Sequence, residues 1–131
     1  MDLFRRLKEM RILLIDDDEW IRDSLTVFFE SEGCHLLALE TAEEGIDALK
    51  RQAYDIIIAD YRLPGMDGLE FFRQLEKSHP GVLKILITAY RSEEVVSEAD
   101  RMGVHDFINK PFSSKTIEES LSRVIENRAS N

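Results

Sequence analysis

Short apolar runs alternate along the chain with longer stretches in which apolar residues recur every three or four positions, the pattern of strands and amphipathic helices in turn. Arg11 to Ile15 (RILLI) predicts a strand that stops abruptly in four acids, Asp16, Asp17, Asp18 and Glu19. From Trp20 to Glu32 the apolar positions Trp20, Ile21, Leu25, Phe28 and Phe29 are helically spaced, with Asp18 as the cap and Gly33 as the terminator. Cys34 to Leu39 predicts a second strand. Thr41-Ala-Glu-Glu has the form of a capping box opening a helix to about Gln52.

The third strand is the most distinctive. Ile56, Ile57, Ile58 and Ala59 form a continuous apolar run suited to burial on both faces, Asp60 sits at its tip, and Leu63-Pro64-Gly65 forbids continuation. A helix from about Met66 to Lys77, with Leu69, Phe72 and Leu75 inward, is broken by Ser78-His79-Pro80-Gly81. Val82 to Thr88 predicts the fourth strand, and Ser92 caps a helix to Met102 that Gly103 closes. Val104 to Asn109 is the fifth strand, and Ser113 or Ser114 caps a last helix to about Asn127 with Ile117, Leu121, Val124 and Ile125 as its buried stripe. Residues 1–10 carry Leu3, Phe4, Leu7 and Met10 and read as a short amphipathic lead-in or a frayed end, while 128–131 read as a polar tail or linker stub. Strict alternation with connections long enough for crossover helices predicts a doubly wound α/β domain over 11–127, a parallel sheet with helices on both faces.

Composition narrows the function classes. At 131 residues the chain is one domain that buries about two thirds of its unfolded surface. No apolar run approaches the roughly 20 residues needed to cross a bilayer, and the amino terminus lacks the apolar core of a signal peptide, so the expected location is cytoplasmic, with no membrane partner. Acids outnumber bases by 26 to 17, for a net charge of −9, which disfavours direct nucleic-acid binding by this domain. Cys34 is the lone cysteine and reads as a small hydrophobe near a strand start rather than a catalytic thiol. His35, His79 and His105 show no metal-ligand spacing.

In parallel α/β sheets ligands bind beyond the carboxyl ends of the strands, so the residues there matter most. They are Asp16 and Asp17 after the first strand, Asp60 after the third, Thr88 after the fourth and Lys110 after the fifth. A carboxylate at the tip of a buried strand is costly unless paired, although an aspartate that merely caps the next helix is the simpler reading of Asp60 alone. Taken together, three carboxylates repel one another unless a cation lies among them, and an all-oxygen site tolerant of water suits Mg²⁺. With a hydroxyl and an ammonium added, the set describes a phosphoryl site in which the central aspartate can act as nucleophile.

Over roughly Arg11 to Asn127 the sequence resembles the receiver domains of two-component response regulators. The resemblance rests on ILLIDD, on Asp60 followed by LPGMDG, on Thr88-Ala89, and on Lys110-Pro111-Phe112 in that order. It implies a flavodoxin-like (βα)5 fold with strand order 2-1-3-4-5, and a phosphoacceptor rather than a turnover enzyme. By the same resemblance Asp60 takes a phosphoryl group from a histidine kinase or phosphotransfer protein. Asp17 would bind Mg²⁺ directly and Asp16 largely through water, with the Arg62 backbone carbonyl completing the protein's share. Lys110 would pair with phosphoryl oxygens, Thr88 would hydrogen-bond one of them, and Phe107 would be a rotamer switch acting on the face of the last two helices and the fifth strand. That face would engage an effector domain or a second copy of the chain. Phe107 lacks the hydroxyl of a tyrosine, which leaves only the steric part of the switch. The Lys110-Pro111 bond is expected to be cis. Arg62 and Tyr90, each two residues beyond a site residue, suggest slow self-dephosphorylation by shielding the phosphoryl group. With no effector domain in residues 1–131, the chain reads as a stand-alone regulator or a piece of a longer protein.

Two rival readings stand beside this one. Asp16-Asp17-Asp18 contains a DxD like that of haloacid-dehalogenase-type phosphatases, with Asp16 as nucleophile; Trp20, where that family usually has threonine or valine, and the short chain count against it. The other is a receiver-like interaction module that works without phosphorylation, which the filling of every functional position disfavours.

Overall fold

Five strands, β1 (Arg11–Ile15), β2 (His35–Leu39), β3 (Ile56–Asp60), β4 (Leu83–Thr88) and β5 (Asp106–Asn109), form one parallel sheet in the order β2-β1-β3-β4-β5 in the computed structural model, which describes residues 2–130. Six helices accompany them: α1 (Leu3–Leu7), α2 (Glu19–Ser31), α3 (Ala42–Arg51), α4 (Gly68–Ser78), α5 (Glu93–Arg101) and α6 (Ser114–Ser130). The side-chain period of two divides the strands between two cores. Ile12, Leu14, Ile56, Ile58, Ile85 and Ile87 pack with α1, α2 and α6. Leu13, Ile15, Ile57, Ala59 and Leu86 face α3, α4 and α5. All residues of β3 and β4 are buried, which is why those strands read as unbroken apolar runs.

The helix ends follow the sequence chemistry closely. Asp18 caps α2 by accepting from the Ile21 amide, Thr41 and Glu44 form the reciprocal capping box on α3, and Ser92 caps α5. Ser113 caps α6, its hydroxyl accepting from the Thr116 amide. Gly33 and Gly103 take positive φ where α2 and α5 end.

Several expectations shift. α4 starts at Gly68 with Asp67 as its cap, two residues after Met66 and three after the Gly65 turn, and its buried face includes Phe71 as well as Leu69, Phe72 and Leu75. β2, β4 and β5 begin at His35, Leu83 and Asp106, later than the apolar pattern implied, because Cys34, Val82, Val104 and His105 are used in the approach to the sheet rather than in it. Trp20 does not share the buried stripe of α2; its side chain is 78% exposed, and Leu25 and Phe29 are the buried positions of that helix. α6 continues to Ser130, so the expected polar tail is helical up to there; Asn131 lies outside the described residues. Of the two readings of the amino terminus, the helical one holds: α1 buries Leu7 completely and sets Phe4 edge-on against Phe28, with ring centroids 5.9 Å apart. Cys34 is buried in the core, and burial pushes its thiol pKa up, as suits an unreactive hydrophobe.

α4 approaches the end of β3 so closely that a Cβ on Gly68 would collide with the Asp60 backbone carbonyl. Because the obstructing atom is backbone, Gly68→Ala is expected to lower the stability by about 1–3 kcal/mol in urea denaturation. Gly81→Ala, where a Cβ meets nothing within 4 Å, is the control, expected to leave the midpoint near that of the wild type.

Candidate functional site

Parallel pairing brings the chemistry-bearing residues to one edge. Ile15 is in register with Ala59, Asp60 with Ile87 and Thr88 with Asn109, so the residues that follow these rows converge at the carboxyl end of the sheet. There Asp16 is fully buried, Asp60 is 4% exposed and Thr88 is 1% exposed, while Asp17 lies on the surface. Each of Asp16, Asp17 and Asp60 offers a carboxylate oxygen, and these lie within 4.8 Å of one another.

Lys110 reaches into this cluster from the turn after β5. Its Nζ lies 2.5 Å from Asp60 Oδ2 and 3.2 Å from Asp16 Oδ2. The Lys110-Pro111 peptide is cis, as expected, and Lys110 N donates to the Thr88 carbonyl. Burial alone would lower the Lys110 pKa, but the hydrogen bond to Asp60 and the charges of Asp16 and Asp60 outweigh it, and the net shift is upward. Asp16 shifts upward too: burial is the largest cause, and the neighbouring Asp60 charge adds to it, against the opposing Asp18 amide and Lys110.

Asp16 is satisfied on one side only. Its Oδ1 accepts from the Asp18 amide at 2.9 Å. Its Oδ2 is buried and, although it faces Lys110 Nζ at ion-pair distance, accepts no hydrogen bond. A buried carboxylate oxygen in that state, with two further carboxylates beside it, is a donor set that a hard divalent cation fits. Arg62 is placed next to the same cluster, its amide donating to Asp60 Oδ1 at 3.2 Å. The open hollow formed by Asp17, Tyr61, Arg62, Leu63, Pro64 and Asp67 gives access from solvent.

Thr88 ends β4, the neighbour of β3 in the sheet, and Phe107 in β5 packs against the core of α3 to α5. The Thr88 hydroxyl is held by the backbone of Tyr90, accepting from its amide at 3.1 Å and donating to its carbonyl at 2.9 Å. Phe107 is half-buried, and the guanidinium of Arg91 sits 4.6 Å from its ring centroid, in cation–π range. Tyr90 is 75% exposed and Arg62 is also on the surface. Asp16, Asp17, Asp60, Arg62 and Lys110 are thus in mutual contact or proximity at one end of the sheet, Thr88 ends the neighbouring strand, and Phe107 lies inside β5, in register with Leu86. Two basic residues at the site were not singled out: Arg91 over Phe107, and Arg22, whose Nη1 donates to the Asp16 carbonyl at 3.0 Å. No spacing rule flags Arg91, because its partner belongs to a different element; Arg22 was detectable only as a basic residue one turn into the helix after the acidic loop.

Comparison with known proteins agrees with this arrangement. A family model described as the response regulator receiver domain matches residues 12–122. The transcriptional regulatory protein GlrR of Escherichia coli is 31% identical over 122 residues, covering 93% of this chain and 28% of that protein. The C4-dicarboxylate transport transcriptional regulatory protein DctD of Rhizobium meliloti is 33% identical over 117 residues, covering 89% and 25% respectively. The chain therefore spans between a quarter and a third of the length of these relatives. Among solved structures, a CheY-like response regulator receiver domain protein from Methanospirillum hungatei superimposes with a TM-score of 0.79 at 31% identity, over 90% of this chain and 98% of that one. With its fold, its carboxylate and lysine cluster and these matches in agreement, the chain belongs to the response regulator receiver domain family of two-component systems.

Proposed function

We propose that the domain is a phosphoacceptor in which Asp60 takes a phosphoryl group from the phosphohistidine of a histidine kinase or phosphotransfer protein. The observation that carries this reading is Lys110 bridging the buried carboxylates of Asp60 and Asp16 beside Asp17, a cationic group placed where added phosphoryl oxygens would need it. An Asp60 carboxylate oxygen attacks phosphorus, the N–P bond breaks, and its electron pair returns to the imidazole nitrogen, leaving an acyl phosphate on Asp60. Bound Mg²⁺ would supply charge neutralisation at the transferring group. Asp16, Asp17, Asp60 and the Arg62 carbonyl are the residues that would hold it. Lys110 keeps its proton throughout, as its raised pKa requires, and stabilises the transferred oxygens. The rival assignment of Asp16 as nucleophile suits the site less well, since Asp16 has no exposure to an incoming donor.

The donor reaches Asp60 past an apolar groove of about 600 Å³ between α2 and the turn from β5 to α6, lined by Trp20, Ile21, Phe28, Pro111 and Phe112, with Lys110 at its end. Readout runs through the neighbouring strands β4 and β5. Phosphorylation would draw the Thr88 hydroxyl off the Tyr90 backbone toward the new charge, and Phe107 would turn into the space vacated, altering the face made by α5, β5 and α6. An effector domain or a second copy of the chain is the partner for that face; the relatives named as transcriptional regulators favour an effector domain. Tyr90 and Arg62, standing exposed at the rim, would slow hydrolysis of the acyl phosphate.

Incubation with acetyl phosphate and Mg²⁺ is expected to add the mass of one phosphoryl group to the wild type and none to Asp60→Asn in intact-mass analysis. Equal gain in both would sink the reading, and phosphate recovered on Asp16 would favour the phosphatase-like alternative.

The raised pKa of Asp16 makes a second prediction, about metal-free stability. Its folded pKa lies above the unfolded value of 3.8, so the ionised group weakens the fold at neutral pH, and this penalty fades as pH falls through the raised pKa. Asp16→Asn is therefore expected to raise the Tm in EDTA at pH 7. The advantage should shrink on acidification, when Asp16 is itself neutral. Mg²⁺ should raise the Tm of the wild type and do so less for the variant; identical melting of the two in EDTA at pH 7 would contradict the prediction.

A further inference from the structure

Three anchors fix residue 16 at the end of β1. Its amide donates to the Leu39 carbonyl at 3.0 Å, its Oδ1 accepts from the Asp18 amide at 2.9 Å, and its carbonyl accepts from Arg22 Nη1 at 3.0 Å. The first two partners are backbone and follow from the strand and the turn. The third is a side chain, which a substitution at Arg22 removes while leaving the contact of Lys110 with the Asp16 carboxylate in place. Arg22 is itself well placed for this: it is half-buried one turn into α2, its amide donates to the Asp18 carbonyl at 3.1 Å, and its own carbonyl accepts from the Thr26 hydroxyl at 2.7 Å.

The anchored carbonyl belongs to the peptide that joins Asp16 to Asp17. Among the described residues the Asp17 carboxylate has no hydrogen-bond or ion-pair partner of its own, yet it lies within 4.8 Å of the Asp16 and Asp60 oxygens. With nothing holding the side chain, its aim is set by the backbone before it. Rotation of the 16–17 peptide would swing Asp17 away from the cluster, and the Arg22 guanidinium is what resists that rotation.

We infer that Arg22 is a positioning residue which, by holding the Asp16 carbonyl, keeps the Asp17 carboxylate in the cluster and so sets its affinity for a divalent cation. This rests on the metal-assisted phosphoacceptor reading given above. A fixed outer partner of this kind typically changes metal affinity by 10–100-fold when removed. The direction of the effect separates positioning from simple charge. A guanidinium acting only through space would repel an incoming cation, and its removal would tighten binding; a guanidinium acting as an anchor makes its removal weaken binding.

The test uses the whole chain, titrated with MgCl₂ and followed by the emission of Trp20, the one tryptophan, four residues from Asp16, and by the Mg²⁺-dependent rise in Tm. R22M, which keeps the stem and loses the donors, is expected to weaken Mg²⁺ binding by about tenfold. R22K, which restores a donor on a stem of similar length, should recover most of that loss. At saturating Mg²⁺ the phosphorylation rate of R22M with acetyl phosphate should return to the wild-type value, because the defect lies in the metal requirement and not in Asp60 or Lys110. Should R22M fail to fold, R22Q takes its place with the same expected weakening. Unchanged or tighter Mg²⁺ binding in the folded variant overturns the inference, even if its Tm in EDTA has dropped. So does a rate that stays low at saturating Mg²⁺. A wild type that responds to Mg²⁺ by neither readout would overturn both this inference and the metal-assisted reading, whereas a responding wild type with an indifferent R22M would overturn this inference alone.

Discussion

Two carboxylates, Asp16 and Asp60, are held out of water at the end of a parallel sheet, and the ammonium of Lys110 lies against both. A buried charge without a partner would be strongly destabilising, and this contact offsets part of that cost. It also leaves the compensation incomplete. One cation faces a cluster of three carboxylates, Asp16 Oδ2 lacks a hydrogen bond, and the Asp16 pKa is driven up. The domain is thus built with a deficit of positive charge at one point, which is the physical condition for taking up a cation.

The rest of the fold serves to keep that point fixed. β3 carries Asp60 to the edge through residues buried on both faces, and Gly68 lets α4 close against the Asp60 backbone. β1 and β3 run in register, which places Asp16 beside Asp60, and Lys110 after β5 lies against both. In the neighbouring strands β4 and β5, Thr88 and Phe107 are held in a different arrangement, the hydroxyl by the Tyr90 backbone and the ring beneath Arg91. Asp16 and Asp60 are buried against Lys110, while Thr88 and Phe107 are tied by two neutral hydrogen bonds and an exposed cation. A change of charge at Asp60 would be felt first where the ties are weakest.

Arg22 and Arg91 illustrate two ways in which basic residues act around an acidic site without entering it. Arg22 holds a main-chain carbonyl and so acts on geometry. Arg91 covers an aromatic ring and so acts on the cost of moving it. Neither neutralises the carboxylates, which among the described residues leaves that task to Lys110.

Much of this was present in the amino-acid sequence alone. The alternation of apolar runs with helical spacing determined the α/β class, and local chemistry determined the helix ends: the Asp18, Thr41 and Ser92 caps and the Gly33 and Gly103 stops depend on neighbours a few residues away. The set of residues at the strand ends was legible for the same reason, since a strand that stops on a charged or hydroxyl residue announces it. What only tertiary structure decided involves partners far apart in the chain. Trp20 fits the spacing of the buried stripe, but it stands in the first turn of α2, outside the part that Leu25 and Phe29 bury. The strand starts moved because pairing, not apolarity, defines where a ladder begins. The incomplete satisfaction of Asp16, the grip of Arg22 on its carbonyl and the cover of Arg91 over Phe107 depend on distances between separate elements, and a linear pattern holds no record of such distances.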